Sequence, residues 1–541
     1  MNKILRTGLL FTLLSFAWEA QSQTANDNIP YSFPLYQKLN KEVYDVNSKK
    51  LHSSIRSYYA DDTVLTGRYQ EILSYGVDSL RKRSWVRRKI TEEHLFNFVS
   101  PDYTIYADFL PDFQIGKDFN DQKNTWKNTR GYQIGGTIGK KFSFYTNGYE
   151  NQGVFADYLT QFINTHEVVP SEMSGKIDYT KKTKDWAYVT ALLSYSPNKV
   201  LNLALGYDKN FIGDGYRSML LSDVAANYSF VRLRAAVGDV QYQTIFSYML
   251  DNGAPLLTTD RRLGSRGKWN AMHYLDWNVT NRLSLGFFQA VTWADAEPGY
   301  KRGFDYKYIQ PLIFLGPVFN KDYTGSDNMR IGFNGKYEVF DKTVVYGQLM
   351  VEDLSVKEFF KGSGFWANKT AVQIGFKGSD LFEVTNLSYL AEYNAAKPYA
   401  YSHSQRLTNY AGMRQSLAHP LGGNFREFVG LLNYNYKRFD FQGQALYARY
   451  GLDPAGENYG KDIFSSYDTR VMDYGNKIGQ GIGTDLYFAE VKASYLLNPK
   501  FNLRLELGGV FRQEQNSIQT SNTSLITFGL RSTFRNLYQD F

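Results

Sequence analysis

Residues 525–541 constrain this chain more than any other stretch. They read Leu-Ile-Thr-Phe-Gly-Leu-Arg-Ser-Thr-Phe-Arg-Asn-Leu-Tyr-Gln-Asp-Phe. In an extended chain Ile526, Phe528, Leu530 and Phe534 fall on one face, and Thr527, Gly529, Arg531, Thr533 and Arg535 on the other. One apolar and one polar face is what a strand needs between lipid and a watery lumen. Read as a single strand ending at an aromatic, the segment resembles the signal that barrel-insertion machinery recognises. Phe528, Leu530, Phe534 and Phe541 are the residues predicted to carry that signal.

The N-terminus agrees. Lys3 and Arg6 precede an apolar run over residues 8–18, and Ala20-Gln21-Ser22 fits a small-x-small cleavage site. Residues 1–22 therefore read as a secretory signal peptide, since the run is too short for a membrane-spanning helix. The chain has no cysteine. That excludes disulfides, thiol catalysis, thiolate metal sites and a lipoprotein signal.

Tyr 43 and Phe 38 bring aromatics to 16% of the chain, and rings with polar tips suit a membrane interface. A mean hydropathy of −0.43 speaks against a bundle of membrane helices. It does not speak against a barrel, where half of each strand is polar. Turn formers mark short connections at 139–141, 197–199, 238–239, 280–282, 340–342, 378–381, 437–438 and 498–500. Longer connections alternate with them. From the run at 103–109 to the last one, this predicts an all-β, transmembrane antiparallel β-barrel of about eighteen strands. Short turns would face the periplasm and long loops the outside.

Two runs show the expected phase. Phe501, Leu503, Leu505, Leu507, Gly509 and Phe511 would face lipid, with Asn502, Arg504, Glu506 and Arg512 in the lumen. Val240, Tyr242, Thr244, Phe246 and Tyr248 would likewise face out, with Gln241, Gln243 and Ser247 inside. Residues 343–352 are apolar on both faces and leave the phase open. Residues 23–99 lack alternation and read as a small periplasmic helical segment, with helices over 35–46 and 66–75. They include the basic stretch Arg81-Lys82-Arg83-Ser84-Trp85-Val86-Arg87-Arg88-Lys89, read as a snorkelling rim or a partner site. The barrel proper would span residues 100–541.

Enzyme chemistry finds little support. None of the six histidines sits in a paired metal spacing, no catalytic or metal residue is predicted, and no cofactor is implied. The net charge is +8. Basic groups beside rings suit an acidic polysaccharide, by ion pairing and stacking. The candidate binding site is the loop pair 210–223 and 256–269, with Tyr216, Arg217, Arg261, Arg262, Arg266, Lys268 and Trp269. The same cations would equally serve ion pairs that plug the lumen, or lipopolysaccharide phosphates. Nucleic acid is excluded by compartment.

Several segments carry a family resemblance. They are Asn128-Thr129-Arg130-Gly131, Gly213-Asp214-Gly215-Tyr216-Arg217-Ser218, Gly325-Ser326-Asp327-Asn328 and Leu417-Ala418-His419-Pro420-Leu421-Gly422-Gly423. With these the chain resembles the capsule-assembly Wzi family, and within it Bacteroidota proteins related to the gliding-motility protein RemB. The resemblance implies an eighteen-stranded outer-membrane barrel that holds capsular polysaccharide without catalysis. Three readings follow: a polysaccharide anchor, a structural subunit of an envelope complex (secretion, gliding or barrel assembly), and a diffusion porin. Expected partners are outer-membrane lipid and lipopolysaccharide, acidic surface polysaccharide and an envelope protein complex.

Overall fold

The computed structural model describes residues 27–47, 50–77, 83–174, 178, 180–255, 266–297, 300–311 and 327–541. The predicted signal peptide, Arg81, Lys82, Arg261 and Arg262 lie outside the described residues.

Eighteen antiparallel strands close into a barrel. They are β1 Tyr103–Asp118, β2 Lys123–Ile138, β3 Phe142–Val154, β4 Lys184–Tyr195, β5 Leu201–Asp208, β6 Tyr228–Val237, β7 Val240–Leu250, β8 Gly267–Asn278 and β9 Leu283–Ala294. The second half is β10 Asn328–Phe340, β11 Thr343–Asp353, β12 Lys369–Gly378, β13 Leu387–Ala396, β14 Phe425–Tyr436, β15 Phe439–Leu452, β16 Ile482–Asn498, β17 Leu503–Gln515 and β18 Thr520–Ser532. Each strand pairs with its neighbours in sequence, and β18 closes on β1 from Leu525↔Asp118 to Leu530↔Phe113. All eight expected short turns fall between strands, at one end of the barrel. No helix among the described residues is long and apolar enough to cross a membrane.

Alternation sorts the side chains as the sequence suggests. Leu505, Leu507, Phe511, Ile526 and Phe528 are exposed on the outer wall. Arg531 faces in, where it donates to Glu506 at 2.9 Å and pairs with Asp112. Phe501 and Leu503 depart from the expectation, being buried, one in the turn before β17 and one as its first residue. The helix Trp85–Thr91 lies against that turn, with Asn498 donating to the carbonyls of Lys89 and Glu93 at 3.1 and 2.9 Å.

The reading of 525–541 as one strand is corrected. β18 stops at Ser532, opposite Leu503, the first residue of β17. Beyond that point β18 has no ladder partner: its pairing with β1 ends at Phe113, and residues 104–107 of β1 pair instead with the short strand Phe96–Val99. Residues 533–541 turn inward. Arg535 stacks over Tyr149 at 3.9 Å and pairs with Glu172. Asn536 and Tyr538 both donate to Asp223 at 2.7 Å. Phe541 packs on Phe162 at 4.5 Å. Phe528 and Leu530 therefore lie on the wall strand, while Phe534 and Phe541 do not.

The lumen is filled. Residues 27–47 and 50–77 dock at the short-turn end, with Leu39, Val43 and Tyr36 clustering with Tyr58 and Leu65 and reaching Val344 on the inner face of β11. Their short strand Ile55–Arg56 pairs with Phe211–Ile212 of the β5–β6 loop. Every residue from Asn210 to Tyr228 is buried. Residues 397–424 fold in as well, with Tyr401 and Tyr410 donating to the carbonyls of Met219 and Leu220 at 2.9 and 2.6 Å. The inward faces of β6–β14 accordingly carry apolar residues, among them Phe230, Met249, Met272, Phe288, Tyr346 and Met350. A wall that packs on protein needs apolar side chains on both faces, which is why the phase of 343–352 was open.

One sector of the outer wall is covered. Thr244, His273 and Gln289 lie side by side on the outward face of β7, β8 and β9. Residues 300–311 fold down over them. The Tyr308 carbonyl lies 3.0 Å from His273 Nε2, the Pro311 carbonyl accepts from Gln289, and Trp293 Nε1 donates to the Gly303 carbonyl at 3.0 Å. Phe246 packs on Phe304 at 5.4 Å. Thr244 and Phe246 thus face outward as expected, yet onto protein. Irregular backbone beside a lipid-facing wall is stable only when its polar groups are satisfied within the protein, and His273 and Gln289 supply that.

Candidate functional site

Arg261 and Arg262 lie outside the described residues, and the other predicted binding residues do not come together. Arg217 is fully buried, donating to Glu427 at 3.0 Å and to Asp540 at 2.9 Å. Tyr216 beside it donates to Asp540 at 3.0 Å, and its backbone N–H donates to Glu392 at 2.9 Å. These residues lock the lumen and do not reach its surface. Lys268 and Trp269 are consecutive in β8 and so point to opposite sides of the wall. Lys268 donates to Asn409 at 2.8 Å inside, and Trp269 donates to Asp295 at 2.6 Å outside. Arg266 sits half-buried at the start of β8. A strand cannot present two neighbours to one ligand, which the loop-based reading overlooked.

The motif glycines divide into two kinds. Gly213 and Gly422 have φ of 141° and 66°, which favours glycine. Gly215 is a close approach, since a Cβ there would strike the Glu392 carboxylate. His419 does more than stop a strand: its Nε2 lies 2.8 Å from Glu427, the acceptor of Arg217.

What the long-loop end does present is a cavity of about 970 Å³. Four parts of the chain build it: the helix Asp157–His166, the loop 414–422, the loop 453–465 and the upper ends of β15, β17 and β18. Residue 541 closes its floor. Tyr158, Phe162, Tyr450, Phe464 and Phe541 give it aromatic walls. Its cations are Arg414, Lys461 and Arg512. Arg512 lies 4.6 Å over Tyr158 and 2.6 Å from Glu514, and Arg414 pairs with Glu167 at 2.8 Å. Lys461 stands 4.8 Å over the Tyr450 ring and donates to the Leu421 carbonyl. Burial pushes its amine down to about 8. Burial also lowers His166, so the imidazole is neutral at pH 7.

The loop bearing Lys461 is held by Asp453, whose carboxylate accepts from the backbone N–H groups of Tyr459 and Asp462 at 2.7 and 2.9 Å. Rings fit the apolar faces of sugars, and charged groups fit hydroxyls and carboxylates. The sequence hinted at this site only through Asp and Gly in 453–460, since residues 158, 450, 461 and 512 are far apart in the chain. Among the described residues no group of three or more His, Cys, Asp or Glu side chains could hold a metal.

Fold and cavity together define a closed eighteen-stranded antiparallel barrel of outer-membrane type, with a filled interior and a cavity at its long-loop end. A solved structure with this architecture is that of Wzi, described as an outer membrane protein involved in group 1 capsule assembly in Escherichia coli and as a carbohydrate-binding β-barrel. It matches with a TM-score of 0.54 and 13% identity, over 94% of this chain and 99% of that one. OprD of Pseudomonas aeruginosa matches with a TM-score of 0.42 and 8% identity, over 79% and 94%. OccAB4 of Acinetobacter baumannii matches with 0.40 and 8%, over 80% and 98%. The likeness to Wzi shows a shared fold. No protein-family model matches the chain, and none of the curated proteins does.

Proposed function

We propose that this chain is an outer-membrane protein of the Wzi kind that holds an acidic surface polysaccharide at the cell exterior without chemical turnover. The observation that carries this reading is the outer cavity of about 970 Å³, walled by rings and carrying cations, above an interior filled by the chain itself. A filled interior weighs against the diffusion-porin reading. Short turns, the helix Trp85–Thr91 and residues 27–47 and 50–77 lie on the periplasmic side in this reading, and the cavity, with the helix Asp157–His166 on its wall, faces outward. The resemblance to RemB-like proteins of Bacteroidota extends the proposal to gliding motility, with the anchored polysaccharide as the surface that moves.

The second reading, a subunit of an envelope complex, draws on the helix Trp85–Thr91. Trp85, Val86 and Ile90 are 61%, 56% and 50% exposed at the short-turn rim, an apolar face open to a partner. Affinity capture of tagged protein from its own membranes in mild detergent separates the two. Bound acidic polysaccharide without stoichiometric protein supports the anchor. A fixed set of envelope proteins with little glycan overturns it in favour of the complex.

A further inference from the structure

The outer face of β13–β16 carries an arrangement that neither barrel closure nor glycan binding requires. Arg426 on β14 and Arg449 on β15 are directly opposed across the ladder, and both are exposed on the outer wall. Like charges in that relation repel. Asp485 on β16 reaches Arg449 at 3.4 Å while accepting from Tyr447 at 2.7 Å. Among the described residues no carboxylate pairs with Arg426. The spot keeps a net positive charge and two guanidinium forks, a geometry matched to phosphate.

Two residues further down each strand the register lines up four rings, Tyr393, Phe428, Tyr447 and Tyr487. Tyr393 and Phe428 stand 4.7 Å apart, Tyr447 and Tyr487 5.1 Å. An aromatic girdle of this kind marks a membrane–water boundary. Below it lies an apolar groove of about 520 Å³, whose lining includes Leu432, Tyr434, Phe441, Gly443, Val491 and Leu507.

Gly443 is informative. Elsewhere on the wall a glycine makes room for a ring, as Gly131 does for Tyr149 and Gly286 for Tyr274. A Cβ on Gly443 meets nothing within 4 Å. Glycine weakens a strand, and nothing among the described residues uses the space it leaves.

Depth fits as well. Arg426 stands ten residues from the Tyr436 end of β14. At ~3.3 Å per residue and a tilt of ~40° that is ~25 Å along the membrane normal, the height of a barrel's apolar band. Gly443 then sits ~15 Å below the arginines, half of a ~30 Å hydrocarbon core and the reach of one outer-leaflet acyl chain.

We infer that this wall binds a phosphorylated, multiply acylated glycolipid of the outer leaflet, with its phosphate on Arg426 and Arg449 and one acyl chain in the groove at Gly443. The inference rests on the outer-membrane reading and is independent of the glycan cavity.

Purified barrel in mild detergent, offered lipid A with phosphatidylglycerol as competitor, tests it by native mass spectrometry. Lipid A should be retained by the wild type. Retention should fall about tenfold in Arg426→Ser/Arg449→Ser, the loss of two charge-assisted contacts. It should also fall in Gly443→Leu, whose side chain has room, with both variants keeping the heat-modifiable migration of a folded barrel. Unchanged retention in either variant, no retention in the wild type, or displacement by an equal amount of phosphatidylglycerol overturns the inference. Polysaccharide capture is scored on the same preparations. Its loss with lipid A still bound would sink the anchor reading and leave the lipid site standing.

Discussion

Arg217 reaches across the barrel interior to Glu427, its Nη2 3.0 Å from the carboxylate, with both side chains almost wholly withdrawn from solvent. This one pair ties the β5–β6 loop to β14. His419 and Asp540 join it. Three stretches far apart in sequence, around residues 217, 419–427 and 540, therefore share a single charged centre.

Removing one member of such a centre leaves a buried charge without its counterpart. Arg217→Ala should destabilise the folded barrel by about 3–5 kcal/mol, while replacing both Arg217 and Glu427 by apolar residues should recover much of that. Urea unfolding of the refolded protein in micelles, run as a double-mutant cycle, checks this. Additive losses would mean the two residues do not act as a unit.

Residues 533–541 stand between the outer cavity and a smaller cavity of about 270 Å³ deeper in the lumen; Tyr538 lines both. A chain truncated after Ser532 keeps all eighteen strands. It should still assemble into a membrane barrel, and it should conduct ions in planar bilayers where the full chain gives almost none. Failure to insert would instead return the insertion signal to Phe534 and Phe541.

The strand architecture was legible because alternation and turn chemistry act locally. Phe528, Arg531 and the turn at 437–438 each reveal their role within a few residues. The filling of the lumen was not legible in that way. Met350 lay in the run 343–352 whose phase was open, and its place in the buried cluster with Met219 and Leu220 explains it. Tyr216 and Arg217 were singled out as chemically unusual, which they are, but charge and ring content do not say whether a loop points out or in. The cavity at Lys461 escaped because its walls come from distant segments.

Ligand charge should give the cavity a pH profile. The Lys461 amine, held near 8 by burial, is charged below that pH and neutral above it. Affinity for an acidic polysaccharide should therefore be level from pH 6 to 7 and fall as pH rises through about 8. Burial holds His166 below the ordinary imidazole range, so a fall near pH 8 is not its own. Lys461→Met should bind more weakly with no fall near pH 8. Titration calorimetry at stepped pH reads this, and a wild-type profile level to pH 9 refutes the role of Lys461.

His273 and Gln289 hold the covering segment to the outer wall through the carbonyls of Tyr308 and Pro311. Replacing both by Leu frees those carbonyls and leaves an apolar wall. Proteases added to whole cells should then cut within 300–311 faster than in the wild type, with barrel migration unchanged. Equal cleavage rates would show that the packing of Phe304 and Tyr308 and the Trp293–Gly303 hydrogen bond hold the segment without His273 and Gln289.

That covering segment also gives the barrel unequal sides. On β14 the outward apolar surface runs from Phe428 to Tyr436. On β8 only Leu275 and Trp277 remain bare below His273. Counted from Arg426 to Tyr436 and from His273 to Asn278, strand geometry makes these heights ~25 Å and ~13 Å. A bilayer meeting such a wall must thin on the short side, or the molecule must lean toward it, since mismatch is relieved in one of those two ways. The protein then has a fixed compass bearing within the membrane plane. Thinned lipid on one flank attracts whatever else relieves thinning, so neighbours should gather on the β7–β9 flank and leave the others clear.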